Sequence, residues 1–360
     1  MGIARRLGHL RSIWSAPRLV LFAITSHCNA ACTTCSFPTI PHGERRHVPY
    51  ERALGALDML AENGVSMVSL TGGEPLLHPR FLDLCRAVDD RGMMISYIAT
   101  NGILLDEIIA RGLSKLDVNI VGLSMDILDG DGFGRTRPYD VRRAVSRAKT
   151  LLDGYGIASY AGVLPGRTPE DVRTVLAQCA KLGFSRVVVS YPQCHMSSSY
   201  RAAADGPDTA LGADAIGEIV KALREEKRKG RRLRMFNTEV NLDELLKAAR
   251  GQKTAFGCPA GIWQFYLDWD LDLYRCFNDG PRLGNAPELE NLDFECGACP
   301  GCTQQSFLDY ASFYRAYELF DGLKGKVTGV GGKGRGRPLS VRDDLRAVSS
   351  LVEVYLGGFL

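Results

Sequence analysis

The sequence contains no long apolar run. No stretch of its 360 residues approaches eighteen consecutive apolar side chains, which excludes a transmembrane helix of ordinary length. An excess of one charge is also missing, because 44 Lys and Arg balance 41 Asp and Glu, so nucleic acid is not expected as the main partner. The N-terminus lacks a secretory apolar region with a small-residue cleavage site. We therefore expect a cytoplasmic protein, and the 45% of hydrophobic residues supports a substantial core.

Cysteine, in contrast, is plentiful. Eleven cysteines without a signal sequence indicate reduced thiols and metal ligation rather than a disulfide framework. The first three, Cys28, Cys32 and Cys35, are spaced C-x3-C-x2-C directly after an apolar run over 19–24. Three thiolates at this spacing can ligate three irons of a [4Fe–4S] cluster and leave the fourth iron open. A zinc site or a redox pair is the alternative, although such sites more often use C-x2-C pairs.

A second motif, Thr-Gly-Gly-Glu-Pro, ends the next predicted strand. Gly72 and Gly73 allow the backbone to approach a ligand closely, and Glu74, which precedes Pro75, offers a carboxylate to an ammonium group. With both motifs in this order, the sequence resembles the radical S-adenosylmethionine (SAM) enzymes. The resemblance implies that the open iron binds the amino and carboxylate groups of SAM and that one electron cleaves SAM to a 5′-deoxyadenosyl radical. It also implies an electron donor such as flavodoxin or ferredoxin.

Short apolar segments alternate with amphipathic segments from 18 to 195. Strand–helix alternation predicts an α/β fold with a parallel sheet, whose active-site loops follow the C-terminal ends of the strands. Six such units match the partial (β/α)6 TIM-like barrel of the radical SAM family. The predicted strands are 19–25, 66–71, 94–98, 118–124, 157–164 and 186–191, and the predicted helices are 50–63, 79–91, 103–114, 138–153 and 168–182.

The resemblance assigns further residues to the SAM site. Thr100 and Asn101 follow the third predicted strand, where related enzymes have a turn beside SAM. Ser124 and Asp126 end the fourth strand, where the family has a polar pair that binds the SAM ribose or carboxylate; a simple strand-terminal turn is the alternative. Arg137 could bind the SAM carboxylate with two hydrogen bonds, as the guanidinium geometry favours.

Five further cysteines cluster among turn-forming residues near the C-terminus. Their density has no packing rationale, and it resembles the SPASM and shorter twitch extensions of radical SAM enzymes, which hold auxiliary [4Fe–4S] clusters. Five are too few for two clusters, so the resemblance implies one, with a hairpin over 264–274 between the first two ligands. Which of the last three is spare stays open, and a structural zinc site is the alternative. The five are Cys258, Cys276, Cys296, Cys299 and Cys302.

Two further cysteines are predicted to be buried in the core, and a Cys-His pair at the end of a strand is a candidate for catalysis. Cys85 and Cys179 share apolar helix faces and are predicted to be buried. Cys194 and His195 end the sixth predicted strand. A thiol there could donate a hydrogen atom to a substrate radical, which would make the enzyme an epimerase. A base there could instead help the radical lose an electron to the auxiliary cluster, which would make it a dehydrogenase; the alternative is no role.

The chain divides into five predicted segments. The first is a basic amphipathic helix, which either packs on the barrel or contacts a membrane surface. The fourth is rich in Gly, Lys and Arg and is predicted to be a flexible linker. The segments are the N-terminal helix 1–17, the core barrel 18–235, the auxiliary-cluster module 236–321, the linker 322–338 and the C-terminal helix 339–360.

These features predict a radical SAM enzyme of the oxidoreductase or isomerase type with one auxiliary cluster. The expected substrate is a small molecule of natural-product biosynthesis, such as a sugar, aminocyclitol or nucleoside, because no peptide-recognition domain precedes the barrel at residue 18. The alternatives are modification of a ribosomal peptide, modification of a lipid or isoprenoid, and a non-catalytic iron–sulfur or zinc protein. The lipid alternative rests on the basic N-terminal segment.

Overall fold

The structure, a computed structural model, describes most of the chain between residues 17 and 356. Side chains are described throughout these parts except at 305–308 and 323–328. The described ranges are 17–32, 35–125, 140–191, 211–230, 233–276, 278, 280–292, 303, 305–328 and 340–356.

Parallel strands and helices alternate through the first two thirds of the chain, at nearly the predicted positions. The strands are β1 (Arg18–Ala23), β2 (Val65–Thr71), β3 (Met94–Thr100), β4 (Val118–Ser124), β5 (Ser159–Val163), β6 (Arg186–Val189) and β7 (Arg234–Met235). The helices are α1 (Tyr50–Glu62), α2 (Phe81–Asp90), α3 (Glu107–Leu113), α4 (Val141–Gly154), α5 (Pro169–Lys181), α6 (Ala213–Arg228) and α7 (Glu239–Ala249).

The cysteine-rich segment extends the same sheet. The predicted hairpin is confirmed as β8 (Gln264–Leu267) paired antiparallel with β9 (Asp272–Tyr274), and β10 (Arg282–Asn285) follows. Strand β8 also pairs in parallel with β1, which gives the order β10-β9-β8-β1-β2-β3-β4-β5-β6-β7. In the described residues β7 and β10 are the two outer strands, so the sheet is open. The predicted α/β fold with a partial barrel is confirmed.

The two faces of the sheet pack against different partners. Because side chains alternate along a strand, Val20 and Phe22 enter the large core under the helices, whereas Leu21 and Ala23 lie on the other face with Tyr266. We call this second face the inner face. Cys85 and Cys179 are fully buried in the large core, as predicted.

Two C-terminal helices complete the described chain. Helix α8 (Gln305–Thr328) packs Phe313 against Ile120 on the inner face. It also corrects a prediction, since residues 322–328 are helical and not linker; an isolated glycine in a helix costs only about 1 kcal/mol relative to alanine. The rest of the predicted linker, 329–338, lies outside the described residues.

Helix α9 (Val341–Leu356) lies within the segment predicted to form a C-terminal helix. It docks through a buried hydrogen bond of 2.7 Å between the hydroxyls of Ser350 and Thr238, and through an ion pair between Glu353 and Lys227. The predicted helix 1–17 falls outside the described part except for its last residue. Among the helices that are described, none is both long and apolar enough to cross a membrane.

Candidate active site at the ends of the first three strands

The two sequence motifs are joined through their backbones. The loop after β1 carries the first three cysteines, and the Gly-Gly-Glu-Pro turn follows β2, the adjacent parallel strand. The Gly73 N–H donates to the Thr25 carbonyl, and the Glu74 N–H donates to the His27 carbonyl, both at 2.8 Å. The start of the cysteine loop is therefore hydrogen-bonded directly to the backbone of the second motif.

The two glycines are required by this contact. Gly72 has φ +136°, and a Cβ there would stand 2.3 Å from the Thr25 oxygen. A Cβ on Gly73 would stand 2.2 Å from the His27 oxygen and 3.1 Å from the Cβ of Cys28. Sequence reasoning assigned the glycines to close approach of a ligand. In the structure they allow close approach of one motif to the other, and their approach to SAM stays a prediction.

Glu74 is a buried hydrogen-bond acceptor at the ends of two strands. Its side chain is only 1% exposed. Oε1 accepts hydrogen bonds from the Thr100 hydroxyl at 2.7 Å and the Leu76 N–H at 3.2 Å, and Oε2 accepts from the Asn101 N–H at 2.8 Å. A carboxylate held in this way stabilises the ends of β2 and β3, and its contact with the ammonium group of SAM stays a prediction. Pro75, buried beside it, starts a short 3-10 turn.

The end of β3 is tied to the cysteine loop by side chains. The Asn101 Nδ2 donates to the Asn29 Oδ1 at 2.8 Å, and the Asn101 Oδ1 accepts from the Ile103 N–H at 3.0 Å. The Thr100 hydroxyl also accepts from the Gly102 N–H. Thr100 and Asn101 are thus brought beside the three-cysteine loop. In the structure they hold the loop, and their contact with SAM stays a prediction.

The three thiols suit metal ligation by their chemistry. All three are half-buried, and the described cysteines form no disulfide. Burial raises the pKa of Cys28 to about 12, the Ala30 N–H that donates to its Sγ lowers it, and Glu74 and the other two thiols raise it. Because a ligating cysteine must be a thiolate, this environment favours a protonated thiol until a metal displaces the proton.

The C-x3-C-x2-C spacing of the thiols in the sequence is the one expected for a cluster. The described residues contain no three His, Cys, Asp or Glu side chains gathered around one point in the way that a single ion requires. The ligands of a four-iron cluster do not need to meet at one point, since each thiolate binds its own iron. Three thiols on one braced loop, with an amide N–H directed at a sulfur, therefore fit the [4Fe–4S] site that the resemblance implies.

A group of three histidines behind the loop was not predicted. His27 stacks on His47 with ring centroids 4.3 Å apart, and His78 meets His47 edge-on at 5.3 Å. The Nδ1 of His47 lies 2.9 Å from the hydroxyl of Thr25. Burial and the two neighbouring imidazoles lower the pKa of His47 to about 4, and burial lowers the pKa of His78. These two rings are therefore neutral near pH 7 and pack as a brace.

Arg45 is a second residue that sequence reasoning missed. Its guanidinium donates to the carbonyls of Cys28, Pro38 and Ile40 at 3.4, 3.2 and 2.9 Å. These bonds close the segment that contains all three cysteines. The available signal was the Arg-Arg-His sequence at 45–47 between the two motifs, but a basic tripeptide in a loop is far more often simply solvated.

The auxiliary-cluster cysteines are described only in part. Cys258 and Cys276 flank the β8–β9 hairpin, and both pack against the apolar inner-face cluster that also contacts Cys28 and Cys35. Cys296, Cys299 and Cys302 lie outside the described residues. The auxiliary cluster therefore stays a prediction.

The other predicted site residues are also only partly covered. Ser124 ends β4, in register with Gly162 of β5 and half-buried. Asp126, Arg137, Cys194 and His195 lie outside the described residues, so their roles stay predictions.

The fold and the site define an α/β enzyme domain whose chemistry lies at the C-terminal ends of parallel strands in an open sheet. Residues 22–191 match the model of the Radical SAM superfamily, and this part of the chain is a radical SAM domain. The predicted resemblance is confirmed. The family implies a [4Fe–4S] cluster and SAM as cofactors, and the loop described above provides the matching thiols.

Curated relatives match part of the chain. The PqqA peptide cyclase of Ruegeria pomeroyi is 29% identical over 185 residues, which cover 50% of this chain and 48% of that protein. The GTP 3′,8-cyclase of Chlorobaculum tepidum is 35% identical over 134 residues, which cover 37% and 40%. The matched region spans less than half the length of each relative.

Solved structures match the fold over more of the chain. Streptococcus suis SuiB bound to S-adenosylmethionine superposes with a TM-score of 0.59 at 14% identity, covering 81% of this chain and 70% of SuiB. Native anSMEcpe with bound AdoMet and the Cp18Cys peptide superposes with a TM-score of 0.56 at 19% identity, covering 95% of this chain and 98% of that one. At these identities the likeness concerns the fold.

Proposed function

We propose that this protein is a radical SAM enzyme that abstracts a hydrogen atom from a peptide substrate. The observation that carries the proposal is the likeness to a peptide-bound radical SAM structure over 95% of the chain. A relative named as a peptide cyclase supports the same substrate class. This choice reverses the order of the substrate classes that sequence reasoning favoured.

The residues at the strand ends would act as a rigid support for the cofactors. Cys28, Cys32 and Cys35 would hold the cluster, which when bound supplies the electron that cleaves SAM. Arg45 and the histidine group keep the loop closed. Glu74 fixes the ends of β2 and β3 below it, so that SAM and substrate would meet on a surface that does not have to reorganise.

We also propose one auxiliary [4Fe–4S] cluster. Cys258, Cys276 and two of the three cysteines at 296, 299 and 302 would hold it. The support is the position of Cys258 and Cys276 on either side of one hairpin, against the inner face. Whether the outcome is oxidation or epimerisation depends on this site and on Cys194 and His195.

Deuterium transfer tests the substrate class directly. The reconstituted enzyme would be given SAM, a reductant and fractions of an extract from source cells grown in D2O, and deuterium in 5′-deoxyadenosine would be measured by mass spectrometry. We expect label from the peptide fraction. Label that comes instead from the nucleotide or sugar fraction would overturn the peptide assignment.

A small-molecule substrate is the second candidate. The specific observation in its favour is the match to GTP 3′,8-cyclase at 35% identity. The lipid alternative depends on residues 1–16, outside the described part, and stays a prediction. The same deuterium experiment separates all three classes, since a lipid fraction can be included.

A further inference from the structure

Helix α9 is apolar on two of its sides. On one side Ala347 and Val354 are buried against the body of the protein. The other side carries a row of large apolar side chains, each of which is between 49% and 77% exposed. We call this row the α9 stripe; it consists of Val341, Leu345, Val352, Tyr355 and Leu356. A helix with apolar residues all round is normally buried all round, so the exposed stripe requires an explanation.

The α9 stripe is continuous along the helix. Leu345 and Val352 are seven residues apart, Val341 lies four residues before Leu345, and Leu356 lies four residues after Val352, so these side chains share one face. Of the seven large apolar side chains that are exposed in the described part of the chain, five belong to this stripe. Single exposed apolar residues are ordinary on a protein surface, whereas a contiguous group marks an interaction site.

The acidic side chains of α9 all form ion pairs with cations of the protein itself. The pairs are Asp343 with Arg346 at 3.3 Å, Asp344 with Arg315 at 2.8 Å, and Glu353 with Lys227. Two of these pairs join α9 to other helices and hold it with the stripe facing outward. They also neutralise the negative charge of the helix, so that its acidic residues do not repel an anionic partner.

Basic residues lie at both ends of the stripe. Residues 322–342, which lead into α9, contain six Lys and Arg and no Asp or Glu, and the same is true of residues 227–234. The second stretch reaches the other end of the helix, because the guanidinium of Arg234 donates to the carbonyl of Leu356. The rest of the chain has 32 Lys and Arg against 41 Asp and Glu. Positive charge is therefore concentrated in the two stretches that meet the ends of α9.

We propose that the α9 stripe docks the protein reversibly on the surface of an anionic lipid bilayer. An amphipathic helix binds there by burying its apolar face in the interface, while flanking Lys and Arg attract the acidic headgroups. Nucleic acid would use the basic residues but not the apolar stripe. A second copy of the chain would use the stripe, but pairing two α9 helices would bring like charges together. The bilayer surface uses both features, and the inference goes beyond the proposed function.

The first test compares two lipid compositions. The full-length reconstituted protein would be sedimented anaerobically with vesicles of pure phosphatidylcholine and with vesicles of equal parts phosphatidylcholine and phosphatidylglycerol. We expect binding to the mixed vesicles that weakens about tenfold at high salt, because salt screens the attraction between the basic residues and the headgroups. Equal binding to both kinds of vesicle, or binding to neither, would contradict the inference.

The second test removes the apolar part of the surface. The double variant Leu345→Ser/Val352→Ser should bind the mixed vesicles about tenfold more weakly, since two apolar side chains no longer leave water on binding. Ile108→Ser is the matched control, because Ile108 is 72% exposed on a different helix, α3. It should bind like the wild type. Unchanged binding of the double variant, or an equal loss in the control, would overturn the inference.

Two further measurements separate the alternatives. The denaturation midpoint and the iron content should be unchanged in the double variant, because exposed substitutions alter stability little. Sedimentation velocity without lipid should give the same molecular mass for the double variant and the wild type. A wild-type dimer that becomes a monomer in the double variant would mean that a second copy covers the stripe, and the inference would be wrong. The origin of the deuterium label tests the proposed function separately.

Discussion

Two buried regions of the sheet differ in how their polar groups are paired. At the ends of β2 and β3, Glu74, Thr100 and Asn101 are hydrogen-bonded to one another or to the cysteine loop. In the middle of the sheet, Gln264 and Ser69 are unpaired in the described structure. The difference teaches that the strand ends under the cysteine loop are held by the protein's own hydrogen bonds, whereas the middle of the sheet is held by apolar packing around two polar side chains.

The largest expected effect comes from breaking the contact between the motifs. In Gly73→Ala the new Cβ would overlap the backbone of His27, so the cysteine loop has to move. Overpacking usually costs about 1–3 kcal/mol, and we expect the upper end here because backbone cannot rotate away. Iron content and SAM cleavage should both fall sharply.

Gly43→Ala is the matched control for that change. Gly43 lies in the same part of the chain, and nothing stands within 4 Å of a Cβ built on it. It should bind iron and cleave SAM like the wild type. Full iron loading of Gly73→Ala would show that the contact between the motifs does not support the cluster.

Glu74→Gln tests whether the buried hydrogen bonds of Glu74 stabilise the ends of β2 and β3. A carboxamide can accept at one end only, so the hydrogen bonds from Thr100 and from the Asn101 N–H cannot both survive. Leaving a buried donor unpaired costs about 1–3 kcal/mol, which denaturant titration would measure. Stability equal to the wild type would contradict a structural role for these hydrogen bonds.

The histidine brace predicts a pH dependence. The pKa of His47 is lowered from 6.5 to about 4. Between pH 6.5 and pH 4, the unfolded chain therefore binds a proton at this histidine and the folded protein does not. Stability from this group is therefore complete above pH 6.5 and is lost as the pH falls towards 4. His47→Gln should flatten the stability profile between pH 4 and 6.5; an unchanged slope would contradict the brace.

The smallest expected effect concerns an ion pair between the loop before α1 and the β8–β9 turn. Arg46, in the loop before α1, bonds Asp270 in the β8–β9 turn at 3.0 Å, and both side chains are largely exposed. Exposed pairs contribute about 0–1 kcal/mol. Asp270→Asn should change the denaturation midpoint only slightly, and less at high salt; a large loss would mean that the hairpin is held mainly by this pair.

The sequence predicts the fold and the position of the site well because both depend on local patterns. Strand and helix periods give the parallel sheet, and Cys28 and Gly72 belong to short motifs. The internal hydrogen bonds of Glu74 could not be predicted, since a carboxylate after a strand has the same sequence pattern whether it points inward or outward. The Asn29–Asn101 bond joins residues 72 positions apart, and nothing in either local sequence indicates it.

The burial of Gln264 could not be predicted for a related reason. A glutamine that begins a short apolar strand is usually assigned to the solvent side. Gln264 is buried because β8 joins the sheet beside β1, a parallel pairing that the hairpin pattern does not reveal.

Iron and sulfide analysis with Mössbauer spectroscopy tests the central claim most directly. The protein would be reconstituted anaerobically as wild type and as the Cys28/Cys32/Cys35→Ala variant. A SAM cluster on the braced loop and one auxiliary cluster predict about eight irons falling to about four, since each cluster holds four. An iron content that is the same in both proteins would contradict the assignment of the loop as the cluster site, and about four falling to none would contradict the auxiliary cluster.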